Sequence, residues 1–147
     1  MRNKFLLDTS ALINIRDELS VERVIDGHVD LYITNLTPFE FGNVLWKAFI
    51  RGRLTEKMAA TEIKFMEKLI DVGALKVLPL DSLVDAMETS LKLKITFYDA
   101  SYLVIAKKNR LILVSDDNGL LEASKIMGVG AISSEAFKEK CKEVFQK

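Results

Sequence analysis

Apolar residues fall along the chain in two alternating rhythms. Short runs bounded by polar residues or glycine recur at Phe5-Leu6-Leu7, Leu31-Tyr32-Ile33, Leu75 to Leu80, Leu111-Ile112-Leu113-Val114 and Val129 to Ile132. Runs of this length and composition read as buried strands. Between them, apolar residues recur three and four apart, the spacing of one helical face. That spacing predicts helices near Ala11 to Leu19 and near Val21 to Ile25, the latter closed by Gly27. A long helix should open at Thr37, with Thr37 as its cap and Pro38 in its first position, and run through Phe39, Phe41, Val44, Leu45, Ala48, Phe49 and Ile50 to Gly52. Another should run from Thr55 through Ile63, Met66, Leu69 and Ile70 to Gly73. Shorter helices follow: one capped by Asp81 or Ser82 and carrying Leu83, Ala86, Met87 and Leu91, one from Thr96 through Leu103, Val104 and Ala106 to Lys108, and one from about Leu120 to Met127. The last, capped by Ser133 or Ser134, carries Ala136, Phe137, Cys141, Val144 and Phe145.

Strands separated by helical crossovers imply a mostly parallel sheet with helices on both faces. The expected fold is therefore an α/β three-layer α/β/α sandwich. No repeat, low-complexity tract or linker interrupts the pattern, so residues 1–147 are expected to form one domain. The helix beginning at Thr37 is apolar on most faces and should lie against the sheet or another subunit, with Trp46 and Phe49 in core or interface.

Composition narrows the functional classes. With 49% hydrophobic and 29% charged residues, the chain is a folded globule. Its 21 basic and 21 acidic residues cancel, so it lacks the globally basic profile of many nucleic-acid binders, and any steering of phosphates must come from local groups. These are Lys47, Arg51, Arg53 and Lys57, then Lys92 and Lys94, then Lys107, Lys108 and Arg110, each of which also fits a solvated helix face. A single cysteine, Cys141, can form no internal disulfide, and a reducing, cytoplasmic setting is expected. Arg2 and Lys4 precede an apolar run that Asp8 interrupts, so neither a signal peptide nor a membrane span is expected. His28, the only histidine, reads as a loop residue, and this count excludes Ser-His-Asp triads and imidazole metal clusters.

The remaining candidate chemistry is acidic. Asp8 ends the first strand, Glu40 and Asp99 sit in the first turns of two helices, and Asp117 follows a later strand. Leu103 and Ala106 follow Asp99 at i+4 and i+7, which turns that carboxylate toward the sheet, and Val44 does the same for Glu40 less strongly. Each acid also has a plain structural account. Thr37-x-x-Glu40 and Thr96-x-x-Asp99 fit capping boxes, Asp117 fits an N-cap, and Asp8 fits a polar strand terminus. Taken together they are harder to explain that way, because like charges about 5 Å apart repel by roughly 3 kcal/mol per pair at an effective dielectric near 20. No Lys or Arg is placed among them by sequence spacing, so a divalent cation is the economical counter-charge. Hard oxygen ligands without His or Cys favour Mg2+ or Mn2+.

Four segments, Phe5 to Ile13, Thr37 to Leu45, Tyr98 to Leu103 and Leu113 to Leu120, resemble in order and spacing the successive motifs of the PIN-domain nucleases, most closely the VapC-type toxins of toxin–antitoxin pairs. The resemblance spans nearly the whole chain. It implies that Asp8, Glu40, Asp99 and Asp117 hold one or two metal ions, with Ser115 orienting the first acid and Thr9 beside it. Asp116 stands where such proteins often carry a neutral residue, so it could share or replace the role of Asp117; the spacing from Ser115 and to Leu120 favours Asp117. The resemblance further implies metal-assisted hydrolysis of RNA phosphodiesters, a homodimer, and a small antitoxin protein that covers an apolar groove and blocks the acidic site.

Other readings of the same residues are a PIN nuclease of RNA maturation or of branched DNA, a phosphotransfer domain with Asp8 as nucleophile, and a PIN fold kept only for docking. The phosphotransfer reading is opposed by Ser10, where such phosphatases carry a second acid, and by Ser115, where receiver domains carry a lysine. The docking reading leaves four mutually repelling acids without a purpose.

Overall fold

The computed structural model describes residues 3–26 and 29–142. Five strands, β1 (Asn3–Leu7), β2 (Val29–Thr34), β3 (Leu75–Leu78), β4 (Ile112–Val114) and β5 (Ala131–Ile132), form one sheet in the order β3-β2-β1-β4-β5. Every pairing is parallel, as the helical crossovers required. The helices are α1 (Thr9–Ile15), α2 (Val21–Asp26), α3 (Thr37–Ile50), α4 (Glu56–Asp71), α5 (Leu83–Leu93), α6 (Phe97–Asn109), α7 (Asn118–Met127) and α8 (Ser134–Lys140).

Alternation along β1 separates two cores. Phe5 and Leu7 face one way, into a cluster with Leu12, Ile15, Phe41, Leu45, Leu69 and Phe137, where the Phe5 and Phe137 rings meet edge to face at 4.9 Å. Leu6 faces the other way, with Tyr102, Leu103, Ile105, Leu113, Leu120 and Ala123. The result is an α/β three-layer sandwich. Its innermost helix is α6, in which Ala100 to Ala106 are all buried.

The chain builds β1, β2 and β3 outward in one direction and then returns to place β4 on the other side of β1. Crossovers on the two sides diverge, leaving a crevice at the carboxyl ends of β1 and β4. In open α/β sheets that switch point is where ligands bind.

Several boundaries differ from the sequence expectation. The first helix stops at Ile15 and continues to Glu18 only as a 3-10 turn, because Asp17 and Glu18 break the apolar period. β3 ends at Leu78, and β5 is confined to Ala131–Ile132 because Val129 and Gly130 serve as the approach to it. Ser82 and Ser133 are the caps of α5 and α8, and Asp117 caps α7, which starts at Asn118. Thr37 is not a cap: Leu36 holds that position without a side-chain bond, and Thr37 is the first helical residue. Trp46 and Phe49 are not core residues. They are 57% and 40% exposed and line an apolar groove of about 380 Å³ between α3 and α4, with Leu45, Ala60 and Ile63. The expectations placed on Arg2, Gly27, His28, Val144 and Phe145 lie outside the described residues. Among the described residues no helix is long and apolar enough to cross a membrane.

Candidate active site

The site grows out of the β1/β4 switch point. Asp8 leaves β1 with its N–H on the Val114 carbonyl at 3.1 Å, and Ser115 leaves β4 with its N–H on the Ile132 carbonyl at 3.0 Å. Asp8 is the N-cap of α1: its Oδ1 accepts from the Ala11 N–H at 2.9 Å and from the Ser10 hydroxyl at 2.7 Å. Its Oδ2 accepts from the hydroxyl of Ser115, which is wholly buried. Each serine also ties the two strand exits together. Ser10 Oγ accepts from the Asp116 N–H at 3.1 Å, and Ser115 Oγ accepts from the Asp117 N–H at 3.0 Å. Asp8 is only 7% exposed. Burial pushes its carboxyl above the usual range against the bonds from Ser115, Ala11 and Ser10, and the charge of Asp116 adds to the rise.

Asp99, in the first turn of α6, is where the four acids meet electrostatically. Its carboxyl is raised first by burial and then by the charges of Asp117 and Asp8; the Thr96 hydroxyl opposes this, and the charge of Glu40 adds to it. Three chain-distant acids are thus near enough to act on a fourth. No ion pair among the described residues involves any of the four. Asp117 caps α7 through Oδ1, which accepts from the Leu120 N–H at 2.8 Å, and remains exposed.

Glu40 does not fold back onto its own helix start, as a capping box would require. Its Oε1 accepts from the Thr9 hydroxyl at 2.9 Å and from the Tyr102 hydroxyl at 3.0 Å. Asp116 is turned elsewhere. Its Oδ2 accepts from the Asn14 amide at 2.6 Å and its Oδ1 from the Ser134 N–H at 2.9 Å. Burial favours its neutral form, but the bonds from Ser134 and Asn14 and the charge of Lys138 outweigh burial and hold its carboxyl below the usual range.

The donor set fits a hard divalent cation. The acids and hydroxyls present oxygen only, and their combined negative field is unbalanced by any neighbouring cation in the ion pairs described. Among the described residues, no three acidic, histidine or cysteine side chains are drawn into a ready-made cage. Mg2+ does not need one, since it usually keeps several waters and takes one or two carboxylates.

Sequence spacing missed Tyr102, Thr37, Ser10 and Asn14 as members of this network. The available signal was Tyr102 at i+3 from Asp99, a hydroxyl carried into the buried run from Ala100 to Ala106.

A parallel sheet with acids at its switch point places the protein among the open α/β folds that carry a ligand site there, and comparison with known proteins identifies the family. The chain belongs to the PIN-domain family, whose model matches residues 5–126. Within it the similarity is to VapC proteins. Exonuclease VapC9 of Pyrobaculum aerophilum is 33% identical over 132 residues, covering 90% of this chain and 91% of the relative. Ribonuclease VapC3 of the same organism is 32% identical over 124 residues, covering 81% and 93%. The crystal structure of PAE2754, also from Pyrobaculum aerophilum, superposes with a TM-score of 0.78 at 30% identity, over 96% of this chain and 90% of that one. Nucleases of this family depend in general on divalent metal ions.

Proposed function

We propose that the protein is a metal-dependent endoribonuclease and the toxin of a toxin–antitoxin pair, with Asp8, Glu40, Asp99 and Asp117 as its acidic site. The observation that carries the proposal is geometric: Asp8 and Asp117 follow the adjacent strands β1 and β4, Ser115 of the β4 exit bonds Asp8, and Glu40 is bonded to Thr9 beside Asp8 and to Tyr102 one turn along α6 from Asp99, whose carboxyl is raised first by burial and then by the charges of the other three. Acids so disposed destabilise the fold unless they serve a cation. Mg2+ or Mn2+, held by these residues, would make a water acidic enough to attack phosphorus at neutral pH and would offset charge on the departing oxygen.

The chain's own groups supply orientation. Ser115, Ser10 and the Ala11 N–H fix both oxygens of Asp8, so its carboxylate is presented in one rotamer. Thr9 and Tyr102 engage one oxygen of Glu40, and the other is left to hold a water or accept its proton. Asp117 is anchored through a single oxygen to the start of α7. Asp116, tied to Asn14 and Ser134, serves the fold. Cys141 is buried in the core and plays no part.

RNA is the substrate class favoured by the name of the VapC3 relative, and the VapC9 name makes the mode of attack part of the test. The α3–α4 groove suits a small antitoxin with an apolar segment. Exposed Leu83, Val84, Met87 and Leu91 on α5 suit a homodimer. A lone buried thiol agrees with the cytoplasm.

The test is cleavage of linear and circular single-stranded RNA with Mg2+ or Mn2+, with and without chelator. Metal-dependent opening of the circle supports the proposal. Cleavage of linear ends alone would make the protein an exonuclease, and cleavage that survives chelation or Asp99→Asn would overturn the site. Growth arrest on expression, relieved by the product of the adjacent gene, is the expected sign of a toxin.

A further inference from the structure

Tyr102 is 2% exposed, yet its hydroxyl has three oxygen neighbours: Glu40 Oε1 at 3.0 Å, Thr37 Oγ1 at 2.7 Å and Thr9 Oγ1 at 3.5 Å. Counting protons orders them. Glu40 Oε1 receives the single hydroxyl proton of Thr9 and the single hydroxyl proton of Tyr102. In the short contact with Thr37, Tyr102 has no proton left to give, so Thr37 is the donor. Thr37 Oγ1 in turn accepts from the Thr34 N–H at 3.1 Å, with Thr34 Oγ1 at 3.3 Å, and Thr34 Oγ1 accepts from the Leu36 N–H at 3.1 Å. The 3.5 Å approach of Thr9 to Tyr102 has no proton to fill it and lies beyond a good bond length. The network therefore has one polarity, running from the backbone at the end of β2 through Thr37 and Tyr102 into Glu40.

Two consequences follow for Glu40. Its Oε1 is occupied by two donors from different helices, Thr9 on α1 and Tyr102 on α6, which fixes a side chain with three rotatable bonds and leaves Oε2 as the free edge. Tyr102 also stands one turn along α6 from Asp99, so the same helix sets the positions of two acids relative to each other. Thr37, which by sequence should cap α3, orients the phenol instead.

We propose that Tyr102 is a positioning residue: its hydroxyl, oriented by Thr37, locks Glu40 against α6 so that the free carboxylate oxygen is aligned with Asp99 for the cation and the attacking water. This rests on the nuclease proposal, and the experiment separates the two. Mn2+ binding is measured by calorimetry on RNA-free protein, and steady-state RNA cleavage is measured separately, for wild type, Tyr102→Phe, Thr37→Val, Glu40→Gln and the Tyr102→Phe/Glu40→Gln double variant.

Phenylalanine fills the same space, so Tyr102→Phe is expected to fold, to bind Mn2+ several-fold more weakly and to lose roughly tenfold in kcat with KM for RNA unchanged. Thr37→Val should lose less in the same direction. In the Glu40→Gln background, Tyr102→Phe should add no further loss, because the group it positions is already gone. A residue of purely structural role would lower Tm and leave Mn2+ affinity and kcat per folded molecule unchanged, and that result overturns the proposal. Losses that add in the double variant also overturn it. A wild-type protein that binds Mn2+ but cuts no RNA refutes the nuclease proposal, while the calorimetric comparison still decides whether Tyr102 positions Glu40. A wild type that does neither overturns both.

Discussion

Asp8 and Asp116 show how two carboxylates in one network can be pushed in opposite directions by their immediate surroundings. Burial raises the carboxyl of Asp8 despite three hydrogen bonds, whereas Asp116 gains enough from Ser134, Asn14 and Lys138 to fall below its usual range. The ionised form of Asp8 therefore weakens the metal-free fold above its folded pKa, and that burden lifts as pH falls through it. Asp8→Asn is expected to abolish RNA cleavage and to raise the metal-free Tm at pH 7 by a few degrees, at about 2–4 °C per kcal/mol for a chain of this size. The gap from wild type should close on acidification; a gap constant with pH in thermal melts would contradict this account. Asp116 works with the opposite sign. Its stabilisation is present above the unfolded pKa and is lost as pH falls through the folded one. Asp116→Asn should then lower Tm at pH 7 slightly and keep cleavage within about twofold. Asp117→Asn should do the converse, since Asn still caps a helix but gives up the charge that acts on Asp99. Equal kinetic losses in the two variants would mean that the acids share the role.

Gly119 links a helix start to the site. It lies in the first turn of α7, and a Cβ placed there would come within 3.1 Å of Asp117 Oδ1, the oxygen that caps the helix. Alanine is worth up to about 1 kcal/mol over glycine inside a helix, so Gly119→Ala should hold or raise Tm. It should also displace the Asp117 carboxylate by a few tenths of an ångström and lower kcat several-fold. Unchanged kcat in steady-state cleavage would show that the position of Asp117 is not critical. At this scale the sequence was largely readable. Apolar periodicity placed every strand and helix, because each element buries a face and burial leaves a period of two or of 3.6. It failed where one residue type has two uses. Thr37, Thr96 and Asp117 all look like caps; Thr96 and Asp117 are caps, but Thr37 bonds Tyr102, a partner 65 residues away that no local pattern reveals. For Trp46 and Phe49 the nearly all-apolar period of α3 left core and interface both open, and only the packing, in which their faces of that helix stay uncovered, excludes the core.

For the whole molecule, neutrality hides an uneven distribution of charge. Its 21 acidic residues balance 21 basic ones, yet the switch point gathers Asp8, Glu40, Asp99 and Asp117 without a basic partner among the described ion pairs. Strand order accounts for this. Because β4 returns beside β1, the loops after those strands and the first turns of α3 and α6 converge over one edge of the sheet, and acids far apart in the chain are brought under one another's influence. On the proposed function a divalent cation held there would relieve this repulsion, and the relief would appear as stabilisation because the unfolded chain has no such site. At a free metal concentration one hundred times Kd, the gain is about 2.7 kcal/mol, or roughly 5–10 °C in Tm. Mg2+ and Mn2+ should raise Tm saturably, whereas NaCl at equal ionic strength should give a smaller, non-saturating rise through screening alone. In Asp99→Asn the metal-dependent part should shrink sharply, because the carboxyl on which the other three converge is then neutral. A melt insensitive to millimolar Mn2+, or a wild-type rise kept in full by Asp99→Asn, would show that the converging acids hold no metal.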